Sequence, residues 1–185
     1  MIVFDPPRRD YRVVYADPPW SYYGDPNKDQ AAGKHYALMS TEAICALPVA
    51  SVVRTPAVLM LWATSPQLDQ AMRVMDAWGF HYRGVAYVWV KTRKDGGIIN
   101  GQGIRPSFTK STTELVLVGS TQAKGRPLPV LDEGQGQVVL APRGEHSEKP
   151  SVVRARIRAL FPPVPRLEMF ARQRISGWDA WGDGV

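Results

Sequence analysis

At 185 residues, 44% apolar and 22% charged, the chain lies in the single-domain range and has the composition of a folded protein rather than a disordered one. Its 23 Lys and Arg against 17 Asp and Glu leave a formal charge of +6, a balance that suits a polyanionic partner such as nucleic acid. One cysteine, Cys45, rules out an internal disulfide and fits a reducing cytoplasm; His35, His81 and His146 lack zinc-ligand spacing, so no metal is expected; no run approaches the ~18 apolar residues of a membrane span.

Tyr11–Ala16 (YRVVYA) is a short β-rich run. It must leave the sheet at Asp17-Pro18-Pro19-Trp20, because two prolines cannot continue a central strand. Residues 21–39 read as a polar loop, and Ser40 is placed as the N-cap of a short helix that stops before Pro48. Residues 57–63 are continuously apolar, as in a strand covered on both faces. Ser65 is expected to cap the next helix, with Pro66 at its first position, Leu68, Ala71, Met72, Met75 and Trp78 on its apolar face, and Gly79 as its stop. Residues 82–90, 113–118 and 137–141 predict three more strands. Residues 150–161 predict an amphipathic helix with Val153, Ile157, Leu160 and Phe161 inward and Arg154, Arg156 and Arg158 mostly outward. A last strand is placed at 166–170.

Strands interleaved with helices predict an α/β architecture in one domain, residues 1–185, with an open, largely parallel sheet and helices on both faces. Ligands bind such sheets beyond the carboxyl ends of the strands. Polar segments fall there at 17–20, at 92–111 and from 171 onward. Lys91, Arg93, Lys94, Arg105 and Lys110 cluster in the second, a Gly-containing loop region, while Arg8, Arg9 and Arg12 flank the first. Of these, Lys91, Arg93, Lys94 and Lys110 are read as phosphate contacts that position a nucleic acid without choosing its sequence.

Asp17-Pro18-Pro19-Trp20 carries the sharpest chemical signal. An exocyclic aromatic amine is a poor nucleophile because its lone pair is delocalised into the ring. Two acceptors aimed at its two N–H bonds draw it towards tetrahedral geometry as an electrophile arrives. The Asp17 carboxylate and the Pro18 carbonyl can supply them, with proline's locked φ expected to leave that carbonyl fixed and open. Trp20 would offer a stacking face for an extruded base.

The runs YADPPWSYYG, HYALMSTEAICALPV, LMLWATSP, TTELVLVG, APRGEHSEKP and RLEMFARQRISGWDAWG together resemble the MT-A family of adenine N6-methyltransferases, in the family's order and over nearly the whole chain. The resemblance implies a Rossmann-like S-adenosylmethionine-dependent methyltransferase fold in permuted order, with the catalytic motif ahead of the main donor strand. It implies that Asp17, Pro18, Pro19 and Trp20 are catalytic, with Asp17 also bordering the donor. Lys149 would approach the donor's carboxylate. Glu168 and Arg172 would be the donor-binding acid and arginine, and Phe170 would pack on the donor. Lys110 and Glu114 correspond to polar positions near the substrate cleft. One departure is Asp183 after Trp181-Gly182, where the family commonly has asparagine; an aspartate accepts but cannot donate.

An acid at a strand end independently suits ribose hydroxyls, which agrees with Glu168. Rival readings have less support. Gly101-Gln102-Gly103 is half a dinucleotide fingerprint, Gly33-Lys34 lacks the upstream glycine of a phosphate loop, and Cys45 sits on a helix rather than in a nucleophile's strained loop. Cytosine-N4 enzymes usually carry serine in place of Asp17. A non-catalytic nucleic-acid-binding subunit would be expected to have a degraded tetrapeptide, and this one is intact. DNA is expected in preference to RNA, with self-association or a partner subunit helping to supply target recognition.

Overall fold

The computed structural model describes residues 4–21, 38–99, 108–144, 148–182 and 184–185. Strand β1, Tyr11–Ala16, shows why the first run is apolar throughout. Its two-residue period turns Val14 and Ala16 into one core and Val13 and Tyr15 into another, so neither face meets water. Helix α1, Thr41–Cys45, starts as expected, with the Ser40 hydroxyl accepting from the Ala43 N–H at 3.1 Å. Strand β2, Val53–Ala63, begins several residues before the apolar run, because its start pairs in parallel with Tyr11.

The next helix departs from expectation at its entry. Pro66 lies in a 3₁₀ turn, Ser65–Gln67, preceded by Thr64, and helix α2 proper spans Leu68–Ala77. No side chain caps either turn, so Ser65 is not the cap. Ala71, Val74, Met75 and Trp78 are buried along α2 and its end, while Leu68 and Met72 are only half-buried. Gly79 takes φ 80°, and the N–H groups of Gly79 and Phe80 donate back to Asp76 and Met75, closing the helix end.

Strand β3 spans His81–Thr92, β4 Thr113–Ser120 and β5 Val138–Pro142. Helix α3, Ser151–Leu160, leads into β6, Arg166–Met169, and β7, Asp179–Trp181. The short β7 escaped the sequence reading because three residues carry no period. The seven strands lie in the order β5-β3-β4-β2-β1-β6-β7. Parallel pairing holds for β1 with β2 and β6, β3 with β5, and β6 with β7, but β4 runs antiparallel to both β2 and β3. The sheet is therefore mixed. A parallel pair needs a long crossover, usually a helix, and among the described residues no helix lies between β3 and β4.

Helices α1 and α2 cover one face and α3 the other, as expected. Tail residues complete both cores: Trp178 packs beside Tyr15, and Trp181 meets Phe4 and Phe170 edge-on. Among the described residues, no helix is long and apolar enough to cross a membrane. Nor does any group of three or more His, Cys, Asp or Glu converge as metal ligands would.

Candidate active site

The antiparallel β4 decides which residues meet. The carboxyl ends of β1, β3 and β6 lie at one edge of the sheet, and β4 contributes its beginning there. Glu114 therefore joins Asp17, Lys91 and Glu168 at that edge. The two-residue period also sets their face. Leu167 and Met169 turn towards α2's core, so Glu168 turns towards α3, as do Trp62 and Trp89.

Lys149, two residues ahead of α3, lies at the centre. Its ammonium contacts both Asp17 carboxylate oxygens, at 2.8 and 2.9 Å, and Glu114 at 3.3 Å, and stands 5.5 Å from the centre of the Trp62 ring. Lys91 continues the chain, 2.6 Å from Glu114 and over the Trp89 ring. Positive and negative groups thus alternate from Lys91 to Asp17. Burial pushes the Asp17 carboxyl up from its ordinary value, against the attraction of Lys149. Burial acts on Glu114 the same way, but Lys149 and Lys91 outweigh it and hold Glu114 below the ordinary carboxylate value. Burial would lower Lys149; the carboxylates of Asp17 and Glu114 prevail and raise it. The Tyr15 hydroxyl, raised by burial, accepts from the Trp62 indole at 2.6 Å beneath these groups.

Several expectations need correction. The Pro18 carbonyl is not open: it accepts from the Trp20 N–H at 2.9 Å, leaving one lone pair for a substrate. Trp20 is 7% exposed, packs in the core beside α1 and α2, and donates its indole N–H to the Trp62 carbonyl. In this arrangement its ring serves packing. Lys91 belongs to β3 rather than a loop, and its partner is Glu114. Arg93 folds onto its own turn, paired with Asp95. Lys94 and Lys110 are exposed. Arg105 and Asp183, like His35, His146 and the Gly33-Lys34 and Gly101-Gly103 segments, lie outside the described residues.

Whether these residues fit an adenosyl donor can be tested on the side of the sheet where β6 ends. Glu168 is 8% exposed and holds one oxygen, Oε2, buried with no hydrogen-bond partner among the described residues, an acceptor suited to a hydroxyl. Phe170 follows in a left-handed conformation, φ 60°, which is strained for a bulky residue and turns the chain sharply at the strand end. The tail closes on that turn: a Cβ on Gly182 would meet the Ala171 nitrogen and oxygen at 2.5 and 2.6 Å, and one on Gly184 would meet Arg172 Cα at 2.6 Å. Gly182→Ala is accordingly expected to cost about 1–3 kcal/mol. That is about 2–4 °C of Tm per kcal/mol in thermal denaturation, and an unchanged Tm would show that the tail does not hold this turn. Arg172 is exposed, and its charge lowers the Asp17 pKa. These features fit the donor.

Arg154 also departs from expectation. Arg154, expected outside, ion-pairs with Glu168 at 2.6 Å. Its position beside Val153, at the flank of the apolar stripe, was the available signal.

An acid just after β1 and a second on the adjacent parallel β6, both at the carboxyl edge of an α/β sheet, are the layout of a class, the α/β methyltransferases. Comparison with known proteins then specifies it. Residues 11–184 match the family model described as MT-A70, and the chain belongs to the MT-A70 family. It is 34% identical to the Type II methyltransferase M.MunI of a Mycoplasma species, over 95% of this chain and 78% of that protein. It is 29% identical to an N(6)-adenosine-methyltransferase MT-A70-like of Arabidopsis thaliana, over 94% of this chain and 23% of that one. It is 25% identical to the human N(6)-adenine-specific methyltransferase METTL4, over 96% of this chain and 38% of that protein. The chain thus spans most of the bacterial relative and well under half of the plant and human ones. At the level of the family, the reading as a nucleic-acid adenine N6-methyltransferase is borne out.

Proposed function

We propose that the chain transfers a methyl group from S-adenosylmethionine to the N6 amine of adenine at a specific sequence in DNA, as a site-specific adenine methyltransferase. The observation that carries this reading is the Asp17 carboxylate, fixed at the end of β1 by Lys149 and one strand away from Glu168. The 34% identity to a bacterial Type II methyltransferase favours DNA. A second reading, RNA, draws on 27% identity to the N6-methyladenosine RNA methyltransferase MTA1 of Pyricularia oryzae, of which this chain covers 47%. Mass spectrometry of nucleosides from DNA and RNA of cells expressing the chain separates the two. N6-methyladenine confined to DNA supports the proposal, and its confinement to RNA overturns it.

When bound, the donor supplies an electrophilic methyl group on a sulfonium. The protein's part is to prepare the amine. A carboxylate offers about four lone-pair sites, so Asp17 accepts from the target N–H while still paired with Lys149. The remaining lone pair of Pro18 takes the second N–H. Burial raises Asp17 and so strengthens it as an acceptor, while Lys149 keeps it oriented. Glu168, Phe170, Arg172 and the Gly182–Gly184 tail would hold the donor. On this reading Lys149, paired with Asp17 and Glu114, would also face the donor's carboxylate.

The target adenine is taken extrahelical or single-stranded, because its amine is hydrogen-bonded within a duplex. Target choice is assigned to the loops beside the cleft, with self-association or a partner subunit contributing. The single free thiol, Cys45, suits a reducing cytoplasm. Lys94 and Lys110 are the exposed cations beside the cleft that remain as phosphate contacts. Lys94→Gln and Lys110→Gln are each expected to flatten the salt dependence of DNA binding by about 0.9 in log–log slope. Lys91→Gln should leave that slope unchanged. Equal flattening by all three would return Lys91 to the DNA surface.

A further inference from the structure

Arg154 lies in the first turn of α3, five residues beyond Lys149. The same short stretch of chain therefore sends one cation to each of two acids of the site: Lys149 to Asp17 and Arg154 to Glu168. The two pairs are not alike. Lys149 engages both oxygens of Asp17. Arg154 donates from Nη2 to Glu168 Oε1 at 2.6 Å, and there the contact stops. A guanidinium and a carboxylate ordinarily close through two parallel bonds. Here Arg154 Nε and Glu168 Oε2 both lie buried with no hydrogen-bond partner among the described residues. One unmet donor and one unmet acceptor facing a single ion pair are costly to keep dry. They are also complementary to one chemical group.

We infer that Arg154 and Glu168 form a joint hydroxyl clamp for the donor's ribose, in which one hydroxyl donates to Oε2 and accepts from Nε–H. A hydroxyl is both donor and acceptor, so it satisfies both atoms at once. A carboxylate would be repelled by Glu168, and an ammonium by Arg154. The atoms are covered as they stand. The terminal torsion of glutamate is soft, so the carboxylate can turn Oε2 towards a ligand while Oε1 and the Arg154 side chain adjust together. Arg154 thereby does more than neutralise the acid: it fixes which oxygen is presented and adds a donor of its own. The inference rests on the reading of Glu168 as the donor's ribose acid, and the test keeps the two apart.

The experiment is calorimetric binding of S-adenosylhomocysteine and of its 2′-deoxy and 3′-deoxy analogues to native protein, Arg154→Met and Arg154→Lys, without nucleic acid or turnover. For the native protein, removing the clamped hydroxyl should weaken binding about tenfold or more, the value of a hydrogen bond to a charged group. Arg154→Met should weaken the parent ligand by about tenfold, yet hardly affect the analogue that lacks the clamped hydroxyl, so the two losses do not add. Arg154→Lys should fall between. The analogue measured on the same Arg154→Met protein also reports whether that variant is folded. Equal loss for parent and deoxy ligands would make Arg154 merely structural and overturn the clamp, as would tighter binding by Arg154→Met, which would make Arg154 a competitor for Glu168. If neither deoxy analogue binds the native protein more weakly, Glu168 does not hold the ribose. That result removes the underlying reading, and the clamp falls with it.

Discussion

Asp17→Ala is expected to abolish methyl transfer while leaving donor affinity close to that of the native protein. The carboxylate's value as an acceptor grows as the amine nitrogen gains positive charge, so its removal acts on the rate rather than on ground-state binding. Single preorganised groups of this kind are worth roughly 100- to 1000-fold in rate, and the loss here should be at least that large. Lys149 retains Glu114 when Asp17 is gone, so the variant keeps a partner for its buried ammonium and should fold. Asp17→Asn is the sharper control. It keeps one acceptor oxygen and the side chain's size but removes the charge and turns amide hydrogens towards the target. Single-turnover transfer to an adenine oligonucleotide, with calorimetry of the donor alongside, measures both quantities. Near-normal transfer by Asp17→Ala would remove the catalytic assignment.

The second large effect concerns stability. Lys149→Met takes the cation from between Asp17 and Glu114 and leaves two half-buried carboxylates beside each other. Removing one member of a fully buried pair costs about 3–5 kcal/mol, and this partly exposed one should lie at or below the low end. The dependence on pH follows from the directions of the shifts. Glu114 lies below its ordinary value, so it adds stability that is present above its unfolded pKa and lost as acid titrates it through the folded one. Lys149 lies above its ordinary value, so its contribution is complete below the lysine range and lost only in strong alkali. Asp17, raised by burial, favours the fold in acid and less so as pH climbs through the carboxylate range. Without Lys149 both acids move up, and the variant should become most stable in mild acid, where they take up protons. Urea titrations near pH 5 and near pH 8 should therefore show a much larger deficit at the higher value, and an equal deficit at both would break the proposed coupling.

Much of this was legible in the residues because the signals were local. Two prolines after YRVVYA dictate where β1 ends, and so place Asp17 at the sheet edge. Ser40 and Gly79 carry their own capping chemistry. The direction of β4 was not local: antiparallel pairing depends on what joins it to β3, and a polar connection looks alike in either case. That direction brings Glu114 to Lys149, so their contact could not be read from TTELVLVG alone. Lys91 was misplaced because a lysine beside basic loop residues resembles them in sequence, whereas its place near the end of β3 gives it a half-buried acid to neutralise. Trp20 shows the same limit. An aromatic residue next to a catalytic acid can face a ligand or the core, and the helices behind it supply the packing partners.

The pairing of β1 with β6 also bears on how the protein is made. Tyr15 lies opposite Glu168, so two neighbours in the sheet are separated by most of the sequence. At about 5–20 residues per second, a nascent chain carries β1 for on the order of ten seconds before β6 leaves the ribosome. Throughout that interval β2 can cover one edge of β1, and the other presents bare backbone groups to any passing strand. Pro18 and Pro19, just beyond Ala16, stop an intruding partner from extending past the strand's end, because neither can donate to it. The same delay orders the acquisition of activity. On the proposed function, the acid of the chemical step is made early and the acid for the donor's ribose late, so a chain released before β6 holds Asp17 but lacks Glu168.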